Sequence, residues 1–124
     1  MNAELIKEWS IKAKEDLETA ELLYKARKSP ANLGFHCQQT IEKLLKAFLL
    51  KQASIPPRKH DLVELIELAI PFDTSLQAFK QLAREVNPYA VIVRYPGDER
   101  VTFTEAKNIY KKTKEFYAHL IKII

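Results

Sequence analysis

Apolar residues recur at steps of three and four along most of the chain, and this spacing predicts α-helices. The first predicted helix covers residues 3–27, with Asn2 as its N-cap. A second covers 30–52, where Ser29 precedes a proline at the first helical turn. The inward stripe of the first helix steps by four, four, three and four through Trp9, Ala13, Leu17, Ala20 and Tyr24.

The second half of the chain carries the same spacing in shorter pieces. The run from Asp61 to Glu64 has the form of a capping box and predicts a short helix over 61–70. Another helix is predicted over 75–86, and Thr102 caps a last helix that runs to the C-terminus. Residues 87–101 have strand propensity, but an isolated strand would leave its backbone groups unpaired. We therefore predict an ordered extended loop there.

These elements predict an all-α fold, namely an up-and-down four-helix bundle with an additional short helix. Long helices joined by short connections pack antiparallel, which favours this arrangement. All six prolines fall between the periodic segments, where a residue that breaks helix interiors is tolerated. The length of 124 residues suits one domain, so we expect residues 1–124 to form a single unit.

The second predicted helix carries polar residues in two different positions. Gln38 projects within its apolar arc, and Glu42 falls at the edge of that arc. A buried polar group is costly unless it is hydrogen-bonded, so both are predicted to join helices or protomers through a polar network. The opposite face carries a stripe of residues spaced three and four apart: His36, Gln39, Lys43 and Lys46.

Composition and charge narrow the classes of protein. A net charge of +4 permits an anionic partner such as a nucleotide or RNA, and it equally suits a solvated surface. Cys37 is the only cysteine, which excludes an intramolecular disulfide and favours a reducing cytoplasm. The N-terminus has no apolar signal-peptide block, and no apolar run reaches membrane-spanning length. The three histidines have no metal-ligand spacing, so neither metal nor cofactor is expected.

The segment Arg94-Tyr95-Pro96-Gly97 is the second concentration of polar chemistry. A guanidinium binds phosphate through a fixed fork of donors, and a tyrosine ring can stack on a base. The segment also comes shortly before the N-terminus of the last helix, where exposed amides favour anions. A plain turn with a surface ion pair explains the same residues, and the pattern by itself does not decide between the two.

Four pieces of the sequence, in order, resemble the HEPN family (the higher-eukaryote and prokaryote nucleotide-binding domain), in its short stand-alone prokaryotic form. The helix-two block is the most specific of them, and the resemblance covers nearly the whole chain. The matching residues are Trp9, Ala13 to Leu17 and Ala20, then Phe35 to Ala47, then His60-Asp61-Leu62, then Arg94-Tyr95-Pro96.

The resemblance implies a four-helix up-and-down bundle that forms a homodimer. It also implies pairing with a small nucleotidyltransferase in a two-gene, toxin–antitoxin-like arrangement. Many HEPN proteins are metal-independent ribonucleases that use an arginine followed four to six positions later by a histidine. This sequence departs from that pattern, because no histidine follows Arg94 until His119.

Three hypotheses remain. The first is a dimeric module that binds nucleotide or RNA phosphate and partners a nucleotidyltransferase. The second is a metal-independent ribonuclease toxin with a rearranged site, in which His36 acts as general base near Arg94. The third is a purely structural interaction bundle. The candidate ligand-binding residues are Arg94, Tyr95, His36, Lys43 and Lys46, and the candidate structural polar residues are Gln38, Glu42 and Asp61.

Overall fold

A computed structural model describes residues 2–96 and 101–124 of the chain. Within these ranges the fold is all-α, without strands, so the prediction of a helical bundle with an additional short helix is confirmed. Residues 97–100 of the predicted loop lie outside the described residues. The elements are α1 (Ala3–Ala26), α2 (Pro30–Lys51), α3 (Leu62–Ala69), two 3₁₀ helices (Ile70–Phe72 and Thr74–Phe79), α4 (Lys80–Val86), α5 (Tyr89–Ile92) and α6 (Phe103–Leu120).

Two of the predicted helix caps make side-chain hydrogen bonds and two do not. Asp61 accepts hydrogen bonds from the backbone N–H groups of Val63 and Glu64, and Thr102 accepts from that of Glu105. Asn2 and Ser29 occupy the N-cap positions of α1 and α2, as predicted, but their side chains make no capping hydrogen bond. An N-cap residue needs extended backbone angles, which Asp61 and Thr102 have. Ser29 instead has a left-handed backbone, with φ at 49°.

The segments on either side of α4 also differ from prediction. The helix predicted over 75–86 is a 3₁₀ helix followed by α4. The extended loop predicted over 87–101 is wrong at Tyr89–Ile92, where a single α-helical turn forms. Pro88 precedes this turn, and the ring of Tyr89 is buried against α2. Tertiary packing of one aromatic side chain therefore overrides the local strand propensity.

Contacts between side chains give the directions of the four helical segments that form the bundle, namely α1, α2, the second 3₁₀ helix with α4, and α6. Trp9 lies beside Lys46 and Asp16 beside Lys43, so α1 and α2 are antiparallel. The first residue of α6, Phe103, lies at the end of α1, where the Arg27 guanidinium is 4.6 Å from its ring. The segment formed by the second 3₁₀ helix and α4 runs antiparallel to α6. It is joined to α6 by contacts of Ser75 with His119 and of Glu85 with Lys112.

The core is centred on α2. Its C-terminal half is buried around nearly its whole circumference, which is expected of a helix surrounded by others. The short helix α3 packs between α2 and α4 and is the additional helix of the prediction. The largest fully buried side chains are Phe48, Phe116, Leu33, Ile41, Leu44, Leu45, Leu49, Leu62, Leu65, Ile66, Leu76 and Leu120.

Candidate functional site

The basic stripe predicted on α2 faces α1, where one carboxylate meets two of its members. The Nδ1 atom of His36 lies 2.9 Å from Oδ1 of Asp16. The ammonium of Lys43 donates to the other oxygen of the same carboxylate. An ionised carboxylate only accepts hydrogen bonds, so His36 donates from Nδ1 and keeps Nε2 for another partner. The His36 side chain is 26% exposed, and this leaves part of the ring accessible.

The environment of Asp16 shows how the pair is held. Burial of its carboxyl opposes ionisation. The hydrogen bonds from His36 and Lys43, with the attraction of both groups, outweigh burial and lower the pKa of Asp16 below its ordinary value. The carboxylate is therefore ionised at neutral pH and compensates the positive charge of Lys43.

A second carboxylate organises the next turns of α2. Oε2 of Glu42 accepts from the ammonium of Lys46 at 3.0 Å and lies 2.9 Å from Nδ1 of His60. Its Oε1 accepts from the Gln38 amide at 3.2 Å. The Glu42 side chain is only 5% exposed and that of Lys46 only 8%, so this ion pair is almost completely buried. The Gln38 amide also donates to the backbone carbonyl of His60, which fastens the loop after α2 to the helix.

Gln39 extends the second cluster, because its amide donates to Oε1 of Gln38 at 2.7 Å. The two clusters follow one another along α2 and are here together called the α2 polar seam, although no hydrogen bond joins one to the other among the described residues. With the histidines neutral, two ammonium groups balance two carboxylates, so the seam has no net formal charge. No buried side-chain polar atom in the described part of the chain lacks a hydrogen-bond partner. The members of the seam are Asp16, His36, Gln38, Gln39, Glu42, Lys43, Lys46 and His60.

Asp61 lies next to the seam and fixes the start of α3. Besides capping that helix, its Oδ1 accepts from the Asn87 side-chain amide at 3.2 Å. The side-chain oxygen of Asn87, Oδ1, in turn accepts from the backbone N–H of Leu62 at 2.9 Å. These bonds tie the end of α4 to the beginning of α3, just before the turn of α5 begins.

Arg94 and Tyr95 follow α5 and are both exposed, Tyr95 to 66%. The α5 turn sits close to α2 because α2 has a glycine at the contact. A Cβ atom added to Gly34 would lie 2.2 Å from Cδ1 of Tyr89, which is far below any allowed contact. Gly34 therefore permits the approach that fixes where the Arg94 segment leaves the bundle.

The structure joins the predicted site residues in two separate groups. His36, Lys43 and Lys46 belong to the α2 polar seam, and each contacts a carboxylate. Among the described residues, no hydrogen bond or ion pair links Arg94 to any of them. Gly34, on which α5 rests, and His36 project about 200° apart around the helix. The Arg94 segment thus approaches α2 from the side opposite to the one that faces α1.

Sequence reasoning missed the two groups that complete the seam, Asp16 and the His60 ring. Asp16 falls seven residues after Trp9 and four before Ala20, so it lies close to the inward stripe of α1. A carboxylate at such a position signals a buried cationic partner, because an unpaired buried charge is too costly. His60 carries no comparable signal, since its position depends on the path of a loop.

Comparison with known proteins places this chain. The model of the HEPN domain matches residues 6–124. The chain belongs to the HEPN family. A crystal structure of TT1696 from Thermus thermophilus superposes with a TM-score of 0.84 at 20% sequence identity, covering 100% of both chains. At that identity the similarity shows a shared fold. The comparison with curated proteins gave no match.

Other side chains of this HEPN domain limit the chemistry of the site. The Cys37 thiol is buried, and burial raises its pKa to about 12, despite a hydrogen bond with Thr113 that acts in the opposite direction. The thiol is therefore protonated and unsuited to nucleophilic attack. No cluster of three or more potential metal ligands occurs in residues 2–96 and 101–124. Every helix in those ranges is too short or too polar to cross a membrane.

Proposed function

We propose that this HEPN domain binds a nucleotide or an RNA phosphate through Arg94, with Tyr95 stacking on a base. The observation that carries the proposal is the contrast in pairing. Lys43 and Lys46 contact carboxylates, whereas Arg94 is exposed and has no acidic partner in the described ranges. An unpaired guanidinium is the side chain best suited to grip a phosphate, and an adjacent exposed ring adds stacking.

The seam residues take a supporting part in this proposal. His36 is held by Asp16 and offers its remaining ring nitrogen at a partly exposed position, where it can contact a bound ligand. Lys43 and Lys46 act indirectly, because each neutralises the carboxylate beside it and so keeps the face of α2 free of net negative charge. The family supports a nucleotide or RNA ligand, and the excess of base over acid agrees with it.

The same proposal includes a homodimer that pairs with a small nucleotidyltransferase in a toxin–antitoxin-like system. Membership of the HEPN family supports it. Exposed large apolar side chains are available for both contacts, with Ile55 exposed to 91% and Leu22 to 69%. Size-exclusion chromatography with light scattering tests the dimer, and a monomer at micromolar concentration would contradict it. A dimer that binds no nucleotide or RNA would favour the purely structural bundle instead.

Replacement of Arg94 tests the ligand site directly. Arg94→Ala should weaken binding of ATP or of a short single-stranded oligoribonucleotide by about ten- to hundredfold, the range expected when one charge-assisted hydrogen bond is lost. Titration calorimetry measures the effect. Arg84→Ala is the matched control, because Arg84 is an exposed arginine on α4 without an ion pair among the described residues, and it should bind like the wild type. Unchanged affinity in Arg94→Ala would remove the site assignment.

One observation favours a second candidate, the metal-independent ribonuclease with a non-standard site. Asp16 holds Nδ1 of His36 and leaves Nε2 available on a side chain that is 26% exposed, as a general base requires. Incubation of the purified protein with structured RNA in EDTA tests this candidate. Cleavage should disappear in His36→Ala and persist in His119→Ala, which alters a histidine at the other end of the bundle. Equal cleavage by the wild type and His36→Ala would exclude His36 as the base.

A further inference from the structure

A small open cavity lies on the far side of Lys46 from Lys43, between α1 and the loop that follows α2. Its volume is about 250 Å³. None of its lining residues belongs to the segment that carries Arg94, so it is separate from the site proposed above. The cavity is lined by Trp9, Lys46, Pro56, Pro57, Arg58 and His60.

One part of the cavity wall is apolar and ring-shaped. The indole of Trp9 is half-buried, so part of its ring surface remains open to the cavity. The ammonium of Lys46 lies 5.4 Å from the indole centroid, a cation–π contact that helps to hold the ring in place. The rings of Pro56 and Pro57 add rigid apolar surface in the loop. Such a wall suits a flat aromatic group better than a flexible alkyl chain.

The remaining part of the wall is basic. Arg58 is exposed and makes no ion pair with any described residue. His60 is anchored through Nδ1 to Glu42, which leaves Nε2 for a ligand, and its side chain is 72% exposed. No carboxylate lines this cavity, because Glu42 is buried behind Lys46 and His60.

Two other cavities of the described residues carry carboxylates in their walls. The one between α4 and α6 is lined by Glu85, Glu105 and Lys112, and so carries carboxylates in its wall. The one on the outer face of α1 shares Trp9 with the proposed cavity but includes Glu8. The combination of an aromatic wall, an unpaired guanidinium and an oriented histidine, without any acid, thus distinguishes the cavity lined by Arg58 and His60 from these two. It fits a ligand that is aromatic at one end and anionic at the other.

We propose that this cavity binds one nucleoside monophosphate, either free or as the terminal nucleotide of an RNA strand. The base stacks on Trp9, and the phosphate is held by the Arg58 guanidinium and the His60 ring. The volume is slightly below the range of about 300–1,000 Å³ that accommodates drug-sized ligands, and this favours a single nucleotide over a dinucleotide. Binding here does not depend on Arg94.

Trp9 is the only tryptophan of the chain, so its fluorescence reports on a ligand bound beside this ring. Trp9 also lines the cavity that contains Glu8, and the Arg58 variant described below separates the two. Titration with adenosine 5′-monophosphate should quench the indole emission saturably, because the base stacks on the ring. Adenosine or inorganic phosphate alone should bind at least about tenfold more weakly, since each lacks one of the two contacts. Absence of a saturable change with the monophosphate would overturn the proposal.

Two arginine variants and one lysine variant separate this cavity from the Arg94 site. Arg58→Ala should weaken the binding of adenosine 5′-monophosphate, measured by the fluorescence titration, by at least about tenfold. Lys59→Ala removes the neighbouring basic side chain, which is paired with Glu64, and should leave this affinity unchanged. Arg94→Ala should leave it unchanged as well. Equal weakening by Arg58→Ala and Lys59→Ala would reduce the effect to general surface charge and refute the cavity. Quenching that depends on Arg58 while no binding depends on Arg94 would refute only the Arg94 site, and the reverse result would refute only the cavity.

Two oligoribonucleotides distinguish the sources of the ligand. If a 5′-phosphorylated strand quenches Trp9 as the monophosphate does and its 5′-hydroxyl counterpart does not, the ligand is the end of an RNA strand. If neither strand quenches, the ligand is the free nucleotide.

Discussion

The α2 polar seam and the exposed arginines use the same kinds of side chain in opposite ways. In the seam, Lys43 and Lys46 are both largely buried, and each contacts a carboxylate. Arg58 and Arg94 are exposed, and the described residues offer them no acid. A basic stripe on a helix therefore says little about ligand binding until its partners are known. A cation that is paired in a buried site stabilises the fold, and an unpaired cation remains available for a ligand.

The two regions should therefore respond differently to mutation. Removing one partner of a buried ion pair leaves the other charge desolvated and uncompensated, which is strongly destabilising. Removing an exposed, unpaired cation changes stability little, because no contact is lost. Stability should thus depend on the seam, and ligand affinity on the exposed arginines.

The largest expected effect is that of Glu42→Ala. It removes the acceptor of the Lys46 ammonium and one of the two acceptors of the Gln38 amide, in a site where both side chains are buried. We expect the free energy of unfolding to fall by about 3–5 kcal/mol, measured by urea denaturation. Glu18→Ala, at an exposed position of α1 without an ion pair among the described residues, should change it by less than about 0.5 kcal/mol. Similar values for the two variants would contradict a structural seam.

Asp16→Asn should have a smaller effect that depends on pH. The pKa of Asp16 in the folded protein lies below its ordinary value of 3.8. Its stabilisation is therefore fully present above about pH 4 and is lost as the pH falls through the lowered pKa. At neutral pH the variant should be about 1–3 kcal/mol less stable than the wild type. The gap should narrow in denaturation curves taken at progressively more acidic pH, and a gap that stays constant would contradict the ion pair.

The smallest effects on stability are expected at the exposed arginines. Arg58→Ala and Arg94→Ala should each change the free energy of unfolding by no more than about 0.5 kcal/mol. Thermal denaturation followed by circular dichroism measures this change. A loss of several kcal/mol in either variant would mean that the arginine has a structural partner, and would abolish the contrast with the seam.

The sequence predicts the helices better than it predicts their contacts. The spacing of apolar residues locates α1 and α2 to within one residue at either end, because a long buried stripe is an unambiguous signal. It fails at Tyr89–Ile92, where the burial of one ring against Gly34 decides the backbone. It also does not indicate the left-handed backbone angles of Ser29.

The site shows the same limit. Polar residues in the apolar arc of α2 lead to the expectation of a hydrogen-bonded network, and in the structure the Gln38 amide donates to Glu42. The partner of Glu42, His60, lies 18 residues away in sequence, and the partner of His36 on the basic stripe, Asp16, lies 20 residues away. Such pairings follow from how the α1–α2 hairpin and the loop after α2 pack, and periodicity within one helix contains no information about them. For this reason the pattern of the stripe alone could not show which basic side chains are paired with a carboxylate and which are free.

The dependence of RNA binding on salt gives the sharpest test of paired against unpaired cations. Each phosphate contact contributes about 0.7 to the slope of the logarithm of affinity against the logarithm of salt concentration for a single strand. Lys43→Met removes the charge of a paired basic side chain but keeps its apolar stem, whereas Arg94→Ala removes an unpaired basic side chain. We expect Arg94→Ala to reduce the magnitude of this slope by about the contribution of one phosphate contact, and Lys43→Met to leave the slope unchanged. An equal reduction by both variants, or a reduction by Lys43→Met alone, would contradict this division between the seam and the exposed arginines.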